Sequence, residues 1–217
     1  QNCWPSVSFD FGAINNLLNK FFPAGFYYKT FMWPKSFWYK IYEPFIRKAA
    51  GLGVASTKHD KERYEHKYEY CDLLITGSGP SGLASAYAAA KNGARVILAE
   101  DKARFGGSLL TSEVNIGNKS GKEWAEGIIA ELKEMPNVTI KNRSQVFGYY
   151  DHNMLVMSER ISDHLPETKK FHPKQRLWYI RANEVLISSG SIERPIVFGN
   201  NDTPGVMLSS AAKEYLK

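Results

Sequence analysis

Cys71-Asp-Leu-Leu-Ile-Thr76 runs directly into Gly77-Ser-Gly79-Pro-Ser-Gly82, an alanine-rich stretch follows, and Glu100 stands eighteen residues after the last of these glycines. The run Leu73–Thr76 is short, apolar and partly β-branched, as expected of a parallel-sheet strand buried on both faces. Gly77 makes a tight turn, Gly79 lets the backbone approach a pyrophosphate, and Gly82 lets the next helix close on the strand; Pro80 and Ser81 belong to the same turn. From Ser81 to Asn92 the chain is nearly all Ala, Leu, Tyr and Ser. This is a helix whose N-terminal N–H groups and dipole face the phosphates. Asn92-Gly93 ends it, Arg95–Ala99 is a second strand, and Glu100 at its tip is placed to accept hydrogen bonds from an adenosine ribose. Strand, turn, helix, strand and acid in register specify a dinucleotide-binding βαβ unit. The acid repels a 2′-phosphate, so NAD or FAD is favoured over NADP. Asp101 and Lys102 border the adenosine, and Lys102 and Arg104 oppose that preference.

With 217 residues the chain holds one large domain, or one domain with an extension. Its net charge of +6 comes from bases spread among acids. Lys58–Glu69, for example, carries four of each and reads as a solvated linker, which argues against a nucleic-acid or membrane partner. Cys3 and Cys71 suggest neither a disulfide framework nor a metal site and suit a reducing cytoplasm. No apolar run of membrane-spanning length and no signal peptide is visible, so a soluble cytoplasmic protein is expected. The chain starts at Gln1 and stops in a helical pattern, Ser209–Lys217, without a C-cap, which reads as an internal piece of a longer polypeptide.

Three regions are expected: an aromatic-rich N-terminal extension at 1–57, a charged linker at 58–70 and a dinucleotide-binding domain at 71–217. Residues 1–45 hold 15 of the 29 aromatic residues, too dense for a free surface. The extension is expected to wrap the body of the subunit or to form an interface, with short helices at Asn15–Phe22 and Tyr39–Ala50. In the main domain, Phe105-Gly-Gly107-Ser108 forms a second glycine loop at the edge of the cofactor. A capped helix spans Ser120–Met135, with Glu123 as capping-box partner and Gly127 marking a close approach. Asn137–Ile140 is the third parallel strand. Ser144–Tyr150, Met154–Ser158 and Leu177–Arg181 alternate as an antiparallel meander inserted after it. A further buried strand, Glu184–Gly190, ends in glycine at the level of the ligand. The expected class is therefore α/β: a Rossmann-like FAD/NAD(P)-binding domain with a parallel sheet and an inserted β-meander, preceded by an irregular, partly helical extension.

Ile187-Ser-Ser-Gly190-Ser-Ile-Glu-Arg194-Pro195 resembles the ATG motif of two-dinucleotide-binding-domain flavoproteins, with Ser188 and Ser189 in place of the usual Ala and Thr. The segments Asn2–Ser6, Ala24–Pro34, Tyr42–Arg47, Tyr64-Glu-His66 and Phe198–Met207 narrow the resemblance to the α subunit of heterotetrameric sarcosine oxidase. That resemblance implies a subunit bearing a ferredoxin-like domain before this segment and a folate-binding domain after it. It implies beta, gamma and delta partner subunits, FAD and FMN elsewhere in the complex, sarcosine as substrate, oxygen as acceptor and tetrahydrofolate as co-substrate. It assigns NAD to this segment, with contacts from Ser81, Glu100, Asp101, Lys102, Ser108 and the backbone near Val146 and Phe147, and with Gly190 nearby. The pair Glu100-Asp101 stands where the family more often has Asp-Glu.

No histidine among His59, His66, His152, His164 and His172 pairs with a nucleophile or carboxylate at a readable spacing, so surface and capping roles are expected. No catalytic residue and no metal cluster is legible. A nucleotide-holding structural module of a related amine- or opine-oxidising complex is the alternative. An FAD-dependent pyridine nucleotide oxidoreductase of the disulfide-reductase type would need a CxxC, which the chain lacks.

Overall fold

A computed structural model describes residues 4–6, 8–21, 25, 31–166, 172–201 and 203–216. Gln1, Asn2, Cys3, Phe22, Ala24 and Lys217, named above, lie outside the described residues, as do residues 26–30 and 202 within the quoted segments. The chain divides into two units, residues 1–60 and 61–217.

Among the described residues the first unit contains only short-range structure. Helix α1 (Ile14–Leu17) gives way to a 3₁₀ turn at Asn19–Phe21. The expected helix over Asn15–Phe22 is thus cut short, since Asn15 and Asn16 compete with the helical backbone for hydrogen bonds. A wider turn at Trp38–Tyr42 leads into α2 (Glu43–Ala50), which Gly51 ends in the left-handed conformation (φ 69°). Rings meet locally: Trp4 with Phe11 at 5.5 Å and Phe31 with Tyr42 at 5.2 Å. No described residue of this unit is buried.

The second unit is layered. It runs β1 (Tyr64–Thr76), α3 (Pro80–Lys91), β2 (Val96–Ala99), a small hairpin of β3 (Asn115–Ile116) and β4 (Lys119–Ser120), α4 (Gly121–Glu134), β5 (Val138–Lys141), β6 (Ser144–Tyr150), β7 (Met154–Arg160), β8 (Gln175–Ile187) and α5 (Ser209–Tyr215). The main sheet has the order β5-β2-β1-β8-β7-β6. Its first four strands are parallel and the last two pair antiparallel. Side chains alternate across the sheet as the two-residue period requires. Ile75, Val96 and Leu98 join Leu83, Ala86, Ala125 and Leu132 of α3 and α4 in one core. Leu74, Ile97 and Ala99 join Leu155, Met157, Trp178 and Ile180 in the other. The antiparallel end of the sheet therefore folds back over the parallel end. Lys141 on β5 confirms the curl, its Nζ lying 4.0 Å from the centre of the Trp178 ring on β8. Fully buried leucines and isoleucines such as Leu98 and Ile180 each contribute about 1.5–3 kcal/mol.

Three expectations need correction. Tyr64–Tyr70, read as charged linker, is the first half of β1 and pairs in register with Gln175–Arg181. Its acids and bases alternate with aromatic side chains, and His66 and Tyr68 stack on Tyr179. Leu177–Arg181 and Glu184–Gly190 are parts of one 13-residue strand, β8, which ends at Ile187. The meander is thus continuous with the parallel sheet. Gly127 marks no close approach, because an added Cβ would meet only Lys119 Nζ at 4.0 Å. The Ser120–Glu123 capping box is present as expected.

Candidate dinucleotide site

The parallel strands end together, and the loops that leave them build the site. Gly77 leaves β1 with φ 99°, its N–H donating to the Ala99 carbonyl at 2.8 Å. A Cβ on Gly77 would lie 2.5 Å from Ser188 O. A Cβ on Gly82 would overlap Gly77 O and press on Ser188 Oγ. These two glycines are required by the protein's own packing. Gly79 differs, because a Cβ there would meet nothing within 4 Å. It is the N-cap of α3, Pro80 occupies the first turn, and no side chain caps this end. The exposed Ser81 and buried Gly82 follow. An uncapped helix N-terminus beside a bare Cα is a fitting cradle for a phosphate group.

Ser78, absent from the residues singled out in the sequence, is fully buried and stitches three segments together. Its N–H and hydroxyl donate to Glu100 Oε2 at 2.9 and 2.5 Å. Its own Oγ and carbonyl accept from Gly106 N–H at 3.2 and 3.1 Å. Glu100 Oε1 accepts from Lys102 N–H at 3.0 Å, and the residue is 6% exposed. Burial works to raise the pKa of Glu100, but the hydrogen bonds from Ser78 and Lys102 outweigh it and hold the carboxyl below its ordinary value. Asp101 is exposed and hydrogen-bonded to Glu100, which holds it above its ordinary value. Its backbone carbonyl accepts from Arg160 at 2.5 Å.

The second glycine loop closes on the first. Gly107 (φ 53°) sits so that a Cβ would lie 2.9 Å from Gly79 Cα, with Ser108 exposed beside it. Next to it opens a cleft of about 770 Å³ lined by Lys102, Arg104, Gly107, Leu109, Ser112 and Lys122. On the other side, Ser188 Oγ donates to the Thr76 and Gly77 carbonyls, each at 2.9 Å, tying the end of β8 to the phosphate turn. Gly190 (φ 72°) follows in open space. Val146 and Phe147 lie on β6, whose first residue Ser144 donates its N–H to Glu100 O at 2.7 Å. A register shift between Val146 and Gly148 leaves Phe147 unpaired and 57% exposed, an arrangement that re-aims a side chain.

The expected residues Gly77, Gly79, Pro80, Ser81, Gly82, Glu100, Asp101, Lys102, Gly107, Ser108 and Gly190 thus converge at the carboxyl ends of β1, β2 and β8, with Val146 and Phe147 tethered to them through Ser144. Among the described residues no group of three or more His, Cys, Asp or Glu is placed to hold a metal ion. His66 stacks on Tyr179, and His164 lies 3.7 Å from Asp163. Cys71 is buried in the core and its thiol is pushed up to about 12, first by desolvation and then by Asp72 and Glu69. No described helix is long and apolar enough to cross a membrane.

A family described as FAD dependent oxidoreductase matches residues 72–163. The sarcosine oxidase subunit alpha of Rhizobium meliloti (strain 1021) is 49% identical over 216 residues, covering 100% of this chain and 22% of the relative. That of Corynebacterium sp. (strain P-1) is 40% identical over 76% of this chain and 17% of the relative. The chain therefore spans about a fifth of the length of these relatives. Among solved structures, an L-proline dehydrogenase from P. horikoshii superposes with TM-score 0.51 at 22% identity, over 70% of this chain and 28% of that one. This last likeness shares the fold.

Proposed function

From the full-length homology of this chain to a segment of sarcosine oxidase alpha subunits, and from its FAD-dependent oxidoreductase domain, we propose that it is the NAD-holding segment of such a subunit. The complex would oxidatively demethylate sarcosine with oxygen as acceptor. FAD and FMN would lie elsewhere in the assembly of alpha, beta, gamma and delta subunits, and tetrahydrofolate would capture the one-carbon unit. The observation that supports the dinucleotide most is the contrast among the three glycines: Gly77 and Gly82 are bare because protein fills the space, and Gly79 is bare where protein does not.

When bound, NAD would supply a hydride-accepting nicotinamide. The chain's own residues hold and orient it. The α3 N-terminus with Gly79 and Ser81 receives the pyrophosphate, Ser108 borders it from the second glycine loop, the acids after β2 receive the ribose, and the backbone at Val146 and Phe147 flanks the adenine. In this reading the segment holds the dinucleotide, and the oxidation belongs to the complete complex.

The test is to purify the complete complex, denature it and identify what this subunit releases. About one NAD per alpha subunit is expected, lost in Gly79→Glu. The match over residues 72–163 favours a second reading, FAD in the same cradle. A released chromophore absorbing at ~450 nm, lost in the same variant, would replace the first reading with the second.

A further inference from the structure

We infer that the corner Asn142-Arg143-Ser144 between β5 and β6, joined by Arg160 at the end of β7, is a positioning clamp. It fixes the backbone of residues 100–103, so that the adenosine end of a dinucleotide meets a loop already in its bound shape. This rests on the dinucleotide reading above.

Asp101, Lys102, Ala103 and Arg104 are exposed, and the carbonyls of an exposed loop ordinarily turn to water. Here four consecutive carbonyls accept from the protein instead. Glu100 O accepts from Ser144 N–H at 2.7 Å, and Lys102 O accepts from Arg143 N–H at 2.9 Å. Ala103 O accepts from Asn142 Nδ2 at 2.9 Å, and Asp101 O accepts from the Arg160 guanidinium at 2.5 Å. Glu100 N–H completes the set by donating to Lys141 O at 2.9 Å. The two side-chain donors stand 39 and 59 residues from the carbonyls they hold, so the loop takes its shape from the far end of the sheet.

The corner itself is strained. Arg143 has φ 50°, in the left-handed region that a residue with a Cβ avoids. Such strain persists where the surroundings over-determine it, and it gathers at functional positions. Arg143 is held on both sides: its N–H donates to Lys102 O, and its carbonyl accepts from Arg160 N–H at 2.9 Å. Ser144 Oγ braces the turn by donating to Asn142 O at 2.9 Å. Ser144, which holds Glu100, also begins the strand that carries Val146 and Phe147. The loop after β2 and the start of β6, the two walls proposed for the adenosine end, are therefore one backbone unit. A ligand resting on both spends no binding energy on ordering either.

The test uses the full chain, freed of copurifying nucleotide. Amide hydrogen exchange without ligand should find the N–H groups of Glu100, Arg143 and Ser144 protected in the parent and faster in Asn142→Ala and Arg160→Met. Calorimetric titration then compares NAD with its two halves, AMP and nicotinamide mononucleotide. Both variants should weaken NAD and AMP by the same factor, about fivefold to tenfold, and leave nicotinamide mononucleotide unchanged. Arg143→Val, which cannot settle in the left-handed region, should weaken NAD and AMP in the same way, and Arg143→Gly at that position should restore them. If Arg143→Val does not fold, Asn142→Ala and Arg160→Met decide the matter. Rapid exchange at these amides in the parent, or parental affinity for NAD in both variants, overturns the inference and leaves the dinucleotide reading intact. An equal loss for all three ligands also overturns it, because general loosening would not single out the adenosine half. A parent protected at these amides that binds neither NAD nor AMP overturns the dinucleotide reading, and the clamp's part in binding falls with it.

Discussion

Trp33 and Trp178 represent the two units of this chain. Trp33 is 83% exposed and Trp178 is 8% exposed. The indole of Trp178 donates to Glu159 at 2.6 Å and lies beneath the Lys141 ammonium. It owes this enclosure to strands far apart in the sequence, β5, β7 and β8, which bring three segments around one ring. Around Trp33 the elements are three to eight residues long and pair only with near neighbours. Apolar composition alone does not create an interior; long-range backbone pairing does, because it supplies the second layer.

Substitution at the two ends of this contrast should have very different costs. Leu98→Ala, in the centre of the sheet at 0% exposure, should lower unfolding stability by about 2–5 kcal/mol in urea titrations. Trp33→Ala should stay within about 0.5 kcal/mol of the parent. Comparable losses at both would break the comparison and give the first unit a core of its own.

The same logic applies within the site at smaller scale. Gly82→Ala drives a methyl into Gly77 O and should cost about 1–3 kcal/mol of stability. Gly79→Ala meets no protein atom, so its melting temperature should hold while dinucleotide affinity falls about tenfold, or ~1.4 kcal/mol. Equal melting temperatures for the two variants would show that the turn relaxes around Gly82.

The smallest effect is confined to acid. Asp72 is held at about 2, below its ordinary 3.8, chiefly by the side-chain hydrogen bonds of Arg95, at 3.0 and 2.9 Å. An acid with a depressed folded value contributes stability that is complete above its unfolded value and lost as pH falls through the folded one. Asp72→Asn should therefore flatten the fall in stability between about pH 4 and pH 2. An unchanged acid limb would remove Asp72 from the linkage.

The parts legible in the sequence were those with local causes. Three glycines at fixed spacing, Ser120 three residues before Glu123, and the alternation in Ser144–Tyr150 each describe their own backbone. The hidden parts depended on distant partners. Tyr64–Tyr70 looks like a linker because every second residue is charged, and becomes a strand only through pairing with residues about 111 positions away, as between Glu65 and Arg176. Ser78 carries no signature of its own; its role appears when Glu100, 22 residues on, folds back to it. In the same way the spacing of Glu100 is readable and the direction of its carboxyl is not.

The strand order β5-β2-β1-β8-β7-β6 places β8, the latest of these six strands in the sequence, in the interior of the sheet. Until β8 emerges, the nascent chain has β1 and β7 each with an open edge, the condition under which strands pair wrongly or aggregate. At 5–20 residues per second the stretch from Arg160 to Ile187 takes roughly 1–5 s to make. Ser188, whose backbone and hydroxyl brace Gly77, arrives only after that strand. The phosphate turn is therefore braced in the same step that joins β1 to β7 through β8.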